Sequence, residues 1–379
     1  MLYLLSYALA PQRFRRFVPT VSGGGGQFQR RGWAGLPRPF GLDRVLAGRK
    51  NLVRAARAMA SIAALAACCA LSSAASAGPT VDRIRAEGVV RCGGTPRPGL
   101  ADLSPDGGRA SGLYLDLCRA VGAALLAPEG RIEFSLYPVD AARIGDGRDD
   151  LAFVDGSEML DGRLAGKTVL GPPVVFVSTG VMVPGDSSVK TLADLSGRSV
   201  CFFQGAEAHR ALEAFLATGR LDVARMPFTE TGEMNDAYLA GKCEVVAGEM
   251  GDLAALRLMG RAKGAASRIL PEPLATGPVF ALTPAGDAQW SAIVAFVIAV
   301  LQRAELKPGP WTAGGAEAAA PNGADLGLAE GWAERVLAAA GPYADIYARN
   351  LGDRSRLGLP RGPNAPVEAG GWFVTPFRR

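Results

Sequence analysis

The sequence predicts an α/β protein of two lobes, and three observations support that fold class. Short apolar runs alternate with segments of helical period, which favours mostly parallel sheets flanked by helices. About 300 residues follow Ala77, which is enough chain for two domains. The strand "TGVMVP" (179–184) leads into a second α/β block, and "LATGPVFALTP" (274–284) leads back to helices. Two such crossings predict a hinge with a ligand cleft between the lobes.

The first block alternates strands with a helix whose apolar residues recur at helical spacing. In chain order it comprises the strand "GVVRCGG" (88–94), the helix "GLYLDLCRAVGAALL" (112–126), and the strands "RIEFSLYPV" (131–139) and "DDLAFVDG" (149–156). The crossing strand at 179–184 follows. This order is typical of a parallel sheet with helical connections.

The second block repeats the alternation. It comprises a helical turn and strand in "TLADLSGRSVCFFQG" (191–205), the helix "AEAHRALEAFLATG" (206–219), a helix and strand in "EMNDAYLAGKCEVVAGE" (233–249), and the helix "MGDLAALRLMGR" (250–261). After the return crossing come a long apolar helix (289–305), a Gly- and Pro-rich link (307–327) and a last helical segment (329–352). No internal sequence repeat is present.

Residues 51–77 have the order of a secretory signal peptide. Positive residues (Lys50, Arg54 and Arg57) precede an apolar run at 58–71, and the small residues Ala75-Ser76-Ala77 precede Gly78. The run is too short and too rich in alanine for a membrane span. We therefore expect cleavage near Ala77 and a periplasmic protein. The alternative is a lipoprotein, because "LAAC" (65–68) also resembles a lipidation box that ends at Cys68.

Residues 1–50 are rich in Gly, Pro and Arg and show no helical or strand period, so we expect a disordered leader. Our hypothesis is that translation starts downstream, near the signal, and that this leader is an artefact of start assignment. Residues 1–77 carry 11 of the 41 Lys/Arg and one of the 36 Asp/Glu, which leaves the rest a net charge of −5. The positive net charge of the full sequence therefore belongs to the leader and signal, and it does not predict a nucleic-acid partner.

Four cysteines remain after the signal, namely Cys92, Cys118, Cys201 and Cys243. Their number is even, and an exported chain meets an oxidising compartment, so two disulfides are expected, with three pairings open. None of the four has the C-x-x-C spacing of a zinc site, and no Walker loop is present. The sequence accordingly predicts no metal and no cofactor.

Several stretches together resemble the periplasmic substrate-binding proteins of polar amino-acid ABC transporters (solute-binding protein family 3), in particular the general L-amino acid-binding branch. The stretches follow the family's order: "VDRIRAEGVVRCGG" (81–94), "GLYLDLCRAVGAALL" (112–126), "LADLSGRSVCFFQG" (192–205), "AYLAGKCEVVAGEMGDLAALRL" (237–258), "DAQWSAIV" (287–294), "GPYADIYARNLG" (341–352) and "RGPNAPVEAGGWFVTPFRR" (361–379). No single stretch is diagnostic, but their order and spacing are specific.

The resemblance implies a type II periplasmic-binding-protein-like fold, with each lobe a mostly parallel sheet flanked by helices and two hinge strands between them. It places the first part of lobe 1 at residues 78–182, lobe 2 at 183–277, and the return to lobe 1 with the C-terminal helices at 278–379. It also implies disulfides Cys92–Cys118 and Cys201–Cys243, one within each lobe. The implied partners of this monomer are an amino acid or related small amine and an inner-membrane ABC permease.

The resemblance further implies two opposed charges in the cleft. Arg163, in the loop after a lobe-1 strand, matches the family's carboxylate-binding arginine. Glu249, after "CEVV", matches the acid that holds the ligand ammonium, although the family usually has Asp there. Ser157 and the turn at Gly205 would add hydrogen bonds. The alternative interpretations are a surface arginine and a first-turn acid that complements a helix dipole.

The predicted pocket departs from the family pattern. Ala206 and Glu207 stand where the family usually has hydroxyl donors, and Leu100, in "RPGLADLS", stands where the family often has an aromatic residue that covers the ligand. Three further acids in the predicted arginine loop are Asp155, Glu158 and Asp161. Either the ligand differs from the family's, for example a cationic amine, or recognition has weakened. The plain alternative is that these acids are solvated loop charge.

Two other function classes stay open. A catalytic relative of this fold, dehydratase-like, would need paired carboxylates, and Glu158 or Asp161 with Glu249 is the candidate set. The single histidine, His209, has no serine or cysteine partner in the sequence, so nucleophilic catalysis is not supported. We therefore predict a binding protein rather than an enzyme. The third class is a binding or sensor module that contacts a receptor.

Overall fold

The computed structural model describes residues 78–103, 110–126, 130–137, 142–156, 166–306 and 323–374. The described residues belong to one compact unit. The predicted leader and signal peptide, residues 1–77, lie outside the described residues.

Strands and helices alternate along most of the described chain. The strands are β1 (Val89–Gly94), β2 (Asp102–Leu103), β3 (Ala110–Ser111), β4 (Arg131–Leu136), β5 (Leu151–Asp155), β6 (Thr168–Pro184), β7 (Ser199–Phe203), β8 (Ala224–Phe228), β9 (Val245–Glu249), β10 (Ser267–Ile269) and β11 (Ala275–Pro284). The helices are α1 (Pro79–Glu87), α2 (Leu113–Leu125), α3 (Ala142–Gly145), α4 (Glu207–Gly219), α5 (Thr231–Leu239), α6 (Met250–Ala262), α7 (Ala288–Leu306), α8 (Trp332–Ala340) and α9 (Tyr343–Asn350).

The main sheet runs through both lobes in the order β4-β1-β5-β11-β6-β9-β7-β8, and β10 pairs with β6. Strands β4, β1 and β5 are parallel to one another, as are β8, β7 and β9. These two parallel groups are the sheets of lobe 1 and lobe 2. The predicted α/β class, with a mostly parallel sheet in each lobe, is confirmed.

Two long antiparallel strands, β6 and β11, connect the lobes. Strand β6 pairs with β11 up to Thr179, and from Thr179 to Met182 it also pairs with β9 of lobe 2. The chain therefore crosses from one lobe to the other along β6 and returns along β11. Both crossings that the sequence predicts lie in these strands, and the exact lobe boundaries stay a prediction.

Each lobe has its own apolar core. The core of lobe 1 packs α2, α7 and the C-terminal helices against the sheet, and the indole of Trp290 at its centre donates a hydrogen bond of 2.7 Å to the Asp150 carbonyl oxygen. Lobe 2 has an apolar cluster on each face of its sheet. Helix α7 is long and apolar enough to cross a membrane, but 61% of its apolar window is buried in the protein.

A disulfide lies within each lobe. Cys92 on β1 bonds to Cys118 on α2, and Cys201 on β7 bonds to Cys243 just before β9. These are the two pairs that the resemblance implies. Because neither bond joins the two lobes, the disulfides leave the hinge unconstrained.

The C-terminal segment lies against the hinge strand β6. The buried Asn364 side chain accepts a hydrogen bond from the Phe176 N–H (2.7 Å) and donates one to the Phe176 carbonyl oxygen (2.8 Å). Arg361 forms a salt bridge with Glu305 at the end of α7 (3.1 Å). The tail is thus attached both to the hinge and to the core of lobe 1.

Candidate functional site

A cavity of about 510 Å³ lies between the two lobes. Lobe 1 contributes the loop after β1 and the end of β5, and the hinge strand β6 contributes Thr179. Lobe 2 contributes the turn after β7 and residues of α4, α5, β9 and α6. Ligand sites of small molecules have volumes of about 300–1,000 Å³, so this cavity is large enough for one.

An ion-pair cluster joins the lobes at the cavity wall. Arg97, in the loop after β1, pairs with Asp155 at the end of β5, and both belong to lobe 1. The Arg97 Nη1 atom also lies 3.5 Å from the Oε2 atom of Glu249, which ends β9 in lobe 2. The three side chains are 18%, 7% and 21% exposed, respectively, so water screens the cluster only partly.

The environment of Glu249 favours its neutral form. Removal from water raises the pKa of Glu249 to about 7, although the nearby Arg97 guanidinium acts in the opposite direction. The carboxylates of Asp252, Asp155 and Glu207 raise this pKa further. Partial removal from water likewise raises the pKa of Asp252 in the first turn of α6, although this residue is still exposed to solvent. The site therefore holds more acid than it can easily keep ionised.

The turn between β7 and α4 forms the lobe-2 wall. Gly205 has φ +82°, a backbone conformation that favours glycine, and it precedes the first residues of α4. Its N–H donates to His209 Nδ1 (3.1 Å), and its carbonyl oxygen accepts from Arg210 Nη1 (2.7 Å). The His209 ring also stacks on Phe202, with centroids 4.5 Å apart. The histidine thus has a structural role in this turn.

Thr179 provides a polar group inside the cavity. Its side chain is on the hinge strand β6, directly opposite Glu249 in the β6–β9 register, and the residue is 6% exposed. Among the described residues, no group forms a hydrogen bond with its hydroxyl oxygen. A buried hydroxyl without a partner is costly, so this group favours a ligand that can bond to it.

Five of the residues that the sequence singles out line this cavity, namely Asp155, Gly205, Ala206, Glu207 and Glu249. Arg163 and Ser157 lie outside the described residues, as do Glu158 and Asp161, and their roles stay predictions. The Gly205 N–H, which we expected to face a ligand, bonds to His209 instead.

Comparison with known proteins gives the ancestry of the chain. No family model matches it. It is 29% identical over 328 residues to the general L-amino acid-binding periplasmic protein AapJ of Rhizobium johnstonii, which covers 81% of this chain and 95% of the relative. It is 26% identical over 338 residues to the putative amino-acid ABC transporter-binding protein YhdW of Escherichia coli K12, covering 84% and 98%, respectively. The chain is a homologue of the periplasmic binding proteins of amino-acid ABC transporters.

Further comparisons agree with that ancestry. This binding-protein homologue is 26% identical over 336 residues to the glutamate/glutamine/aspartate/asparagine-binding protein BztA of Rhodobacter capsulatus, covering 82% of this chain and 96% of the relative. Its fold matches an ABC transporter periplasmic binding protein from Brucella ovis, solved with glutathione bound, at a TM-score of 0.64 and 23% identity, covering 78% of this chain and 98% of that one. The predicted type II periplasmic-binding-protein fold is confirmed.

Sequence reasoning missed Arg97, Thr179 and Asp252 as site residues of this binding protein. Arg97 follows the first strand within "TPRPG", at the carboxyl end of a parallel strand, where ligands of α/β proteins usually bind. This position after a parallel strand is the feature of the sequence that could have indicated Arg97 as a site residue. Leu100, which we expected at the place of a covering aromatic residue, is 2% exposed in the lobe-1 core, and Arg97 from the same loop lines the cavity.

Proposed function

We propose that the protein is the periplasmic solute-binding component of an ABC transporter and captures an amino acid or related small polar amine between its lobes. In this proposal the lobes close on the ligand, and the closed form delivers it as a monomer to an inner-membrane permease. The names of the relatives support the ligand class, since each is an amino-acid-binding protein or a transporter-binding protein.

The observation that carries the proposal is the charged contact between the lobes. Arg97 of lobe 1 and Glu249 of lobe 2 approach to 3.5 Å at the wall of the cavity. A zwitterion that replaced this direct contact would pair with both charges and so contact both lobes at once, and only contacts that exist in the closed state favour closure. The arrangement is therefore suited to a ligand with an ammonium and a carboxylate.

We assign Glu249 to the ligand ammonium. Two arginines are candidates for the carboxylate: Arg97, which lies in the described cavity, and Arg163, which the resemblance implies. A planar guanidinium binds a carboxylate through two parallel hydrogen bonds, and either residue has that group. Glu207, Ser157 and the turn at Gly205 would contact the rest of the ligand.

Export to the periplasm is part of the proposal. The signal peptide would be cleaved after Ala77, just before Gly78, the residue that precedes α1. The alternative with Cys68 as a lipidated N-terminus predicts a membrane-attached protein. Mass spectrometry of the purified exported protein distinguishes the two N-termini.

Calorimetry on site variants tests the residue assignment. We first expect a screen of amino acids and amines to give a thermal shift for at least one ligand. Affinity for that ligand should fall by about a hundredfold or more in Glu249→Gln and in Arg163→Ala or Arg97→Ala, because each change leaves a desolvated charge without its partner. Glu233→Gln and Arg261→Ala, at exposed residues that do not line the cavity, are the matched controls.

The same experiment has clear contrary outcomes. If Glu249→Gln binds as tightly as the wild type, Glu249 doesn't hold the ligand. Unchanged binding in one arginine variant assigns the carboxylate to the other arginine, and unchanged binding in both removes the zwitterion model. Product formation during the screen would instead favour catalysis, for which the Glu249 pKa of about 7 is suited.

A further inference from the structure

The cavity carries more acid than base among its described lining residues. Its four carboxylates are those of Asp155, Glu207, Glu249 and Asp252, and its two guanidiniums are those of Arg97 and Arg210. The net charge of this lining is therefore negative when all of these groups are ionised. The excess belongs to lobe 2, which contributes three of the four acids.

The two arginines are already engaged within the protein. Arg97 pairs with Asp155 and Glu249, and Arg210 donates to the Gly205 carbonyl oxygen. Within the described part of the chain, Glu207 and Asp252 form no salt bridge. Glu207 is the first residue of α4 and Asp252 lies in the first turn of α6; both are exposed cavity residues whose carboxylates raise the pKa of Glu249. The remaining negative charge thus lies where a ligand would extend from Glu249 into lobe 2.

The hydroxyl of Thr179 is a second, independent feature of this wall that could bond to a ligand. It is buried in the cavity wall beside Glu249 and has no hydrogen-bond partner among the described residues. An ammonium has three N–H donors and no acceptor, so it can bond to a carboxylate and a hydroxyl oxygen together. An acidic ligand would instead bring another negative charge among four carboxylates.

We propose that the cleft selects ligands with a net positive charge and holds a second cationic group near Glu207 and Asp252. This inference rests on the proposed function, because it concerns the ligand of the same site. The required chemistry is shared by cationic amino acids and by aliphatic diamines, which differ in the α-carboxylate. Selectivity arises from attraction of the second cation and from repulsion of an added carboxylate.

A set of matched ligands tests the charge requirement. Lysine and norleucine have similar length and differ in the terminal ammonium; cadaverine is lysine without its carboxylate, and glutamate carries an acidic side chain. By calorimetry at pH 7.5 we expect lysine or cadaverine to bind at least about tenfold more tightly than norleucine, and glutamate to bind most weakly. Tighter binding of lysine than cadaverine identifies a cationic amino acid as the ligand type, and the reverse identifies a diamine.

Variants of the lobe-2 acids test where the second cation lies. Asp252→Asn and Glu207→Gln should weaken lysine or cadaverine binding at least about fivefold more than norleucine binding, since only the former have the group that these acids would hold. A general loss of fold would weaken both ligands equally. Glu233→Gln, an exposed acid of lobe 2 outside the cavity, is the control and should change neither affinity.

The outcomes separate this inference from the function on which it rests. If norleucine or glutamate binds as tightly as lysine and cadaverine, the charge selection is wrong but the solute-binding function stands. If Asp252→Asn and Glu207→Gln weaken norleucine as much as lysine, the position of the second cation is wrong. If no amino acid or amine of a full screen binds, the proposed function fails and the inference falls with it.

Discussion

The ionisation state of Glu249 depends on the charged groups next to it. This residue ends β9 and lies 3.5 Å from Arg97 at the cavity wall, and the nearby carboxylates of Asp155, Asp252 and Glu207 raise its pKa. Removal from water is the main reason why its pKa rises to about 7. At neutral pH the carboxyl is thus close to its midpoint, and an incoming ammonium would favour its ionised form.

This raised pKa predicts a pH-dependent difference between the wild type and Glu249→Gln. The folded-state pKa of Glu249 lies above its ordinary value of 4.5. The contribution of this group to the stability of the wild type is therefore complete below pH 4.5 and is lost as the pH rises through 7. A shift of this size corresponds to roughly 3 kcal/mol. In urea unfolding without ligand, Glu249→Gln should gain up to that amount relative to the wild type between pH 5 and pH 8. A constant difference over this range would contradict the raised pKa.

The residues predicted from sequence were those with a local pattern. Glu249 and Gly205 each stand at the carboxyl end of a strand and before a helix. Such positions can be predicted from the local alternation of strand and helix patterns in the sequence. Arg97 shows why other site residues were missed. Its loop shows no helical or strand period. Its guanidinium contacts Asp155, 58 positions further along the chain, only because β1 pairs with β5 in the sheet. That pairing is a long-range property that no local pattern specifies.

The hinge strands are the elements on which closure depends. Strands β6 and β11 pair along most of their length, with register shifts near Phe280 opposite Pro173. Proline has no N–H to donate, so a regular ladder cannot continue through this point. The crossing strands were predicted from their place between two α/β blocks. Their attachment to the C-terminal tail was not predicted, because it depends on residues 188 positions apart.

Asn364 is predicted to hold the tail on the hinge strand. Asn364→Ala removes both hydrogen bonds to the Phe176 backbone and should lower the free energy of unfolding by about 2 kcal/mol, because two partly buried backbone groups lose their partner. Urea unfolding measures the loss. Asn364→Leu is the control for side-chain bulk; if it is as stable as the wild type, packing and not hydrogen bonding attaches the tail.

At the scale of the whole molecule, alternation of strands and helices was enough to predict the α/β class, and the two crossings were enough to predict two lobes. The order of strands in the sheet could not be predicted in the same way, because many pairings satisfy the same local pattern. The described molecule places opposed charges from its two lobes at one cavity and leaves the disulfides within the lobes. Closure over a ligand is therefore the motion that this architecture allows.

A crystal structure of the protein with lysine tests the central claim most directly. We predict that lysine lies between the lobes, with an amine nitrogen about 3 Å from a Glu249 carboxylate oxygen and contacts to both lobes. Lysine bound outside this cavity, or bound inside it while Glu249 contacts only Arg97, would contradict the account.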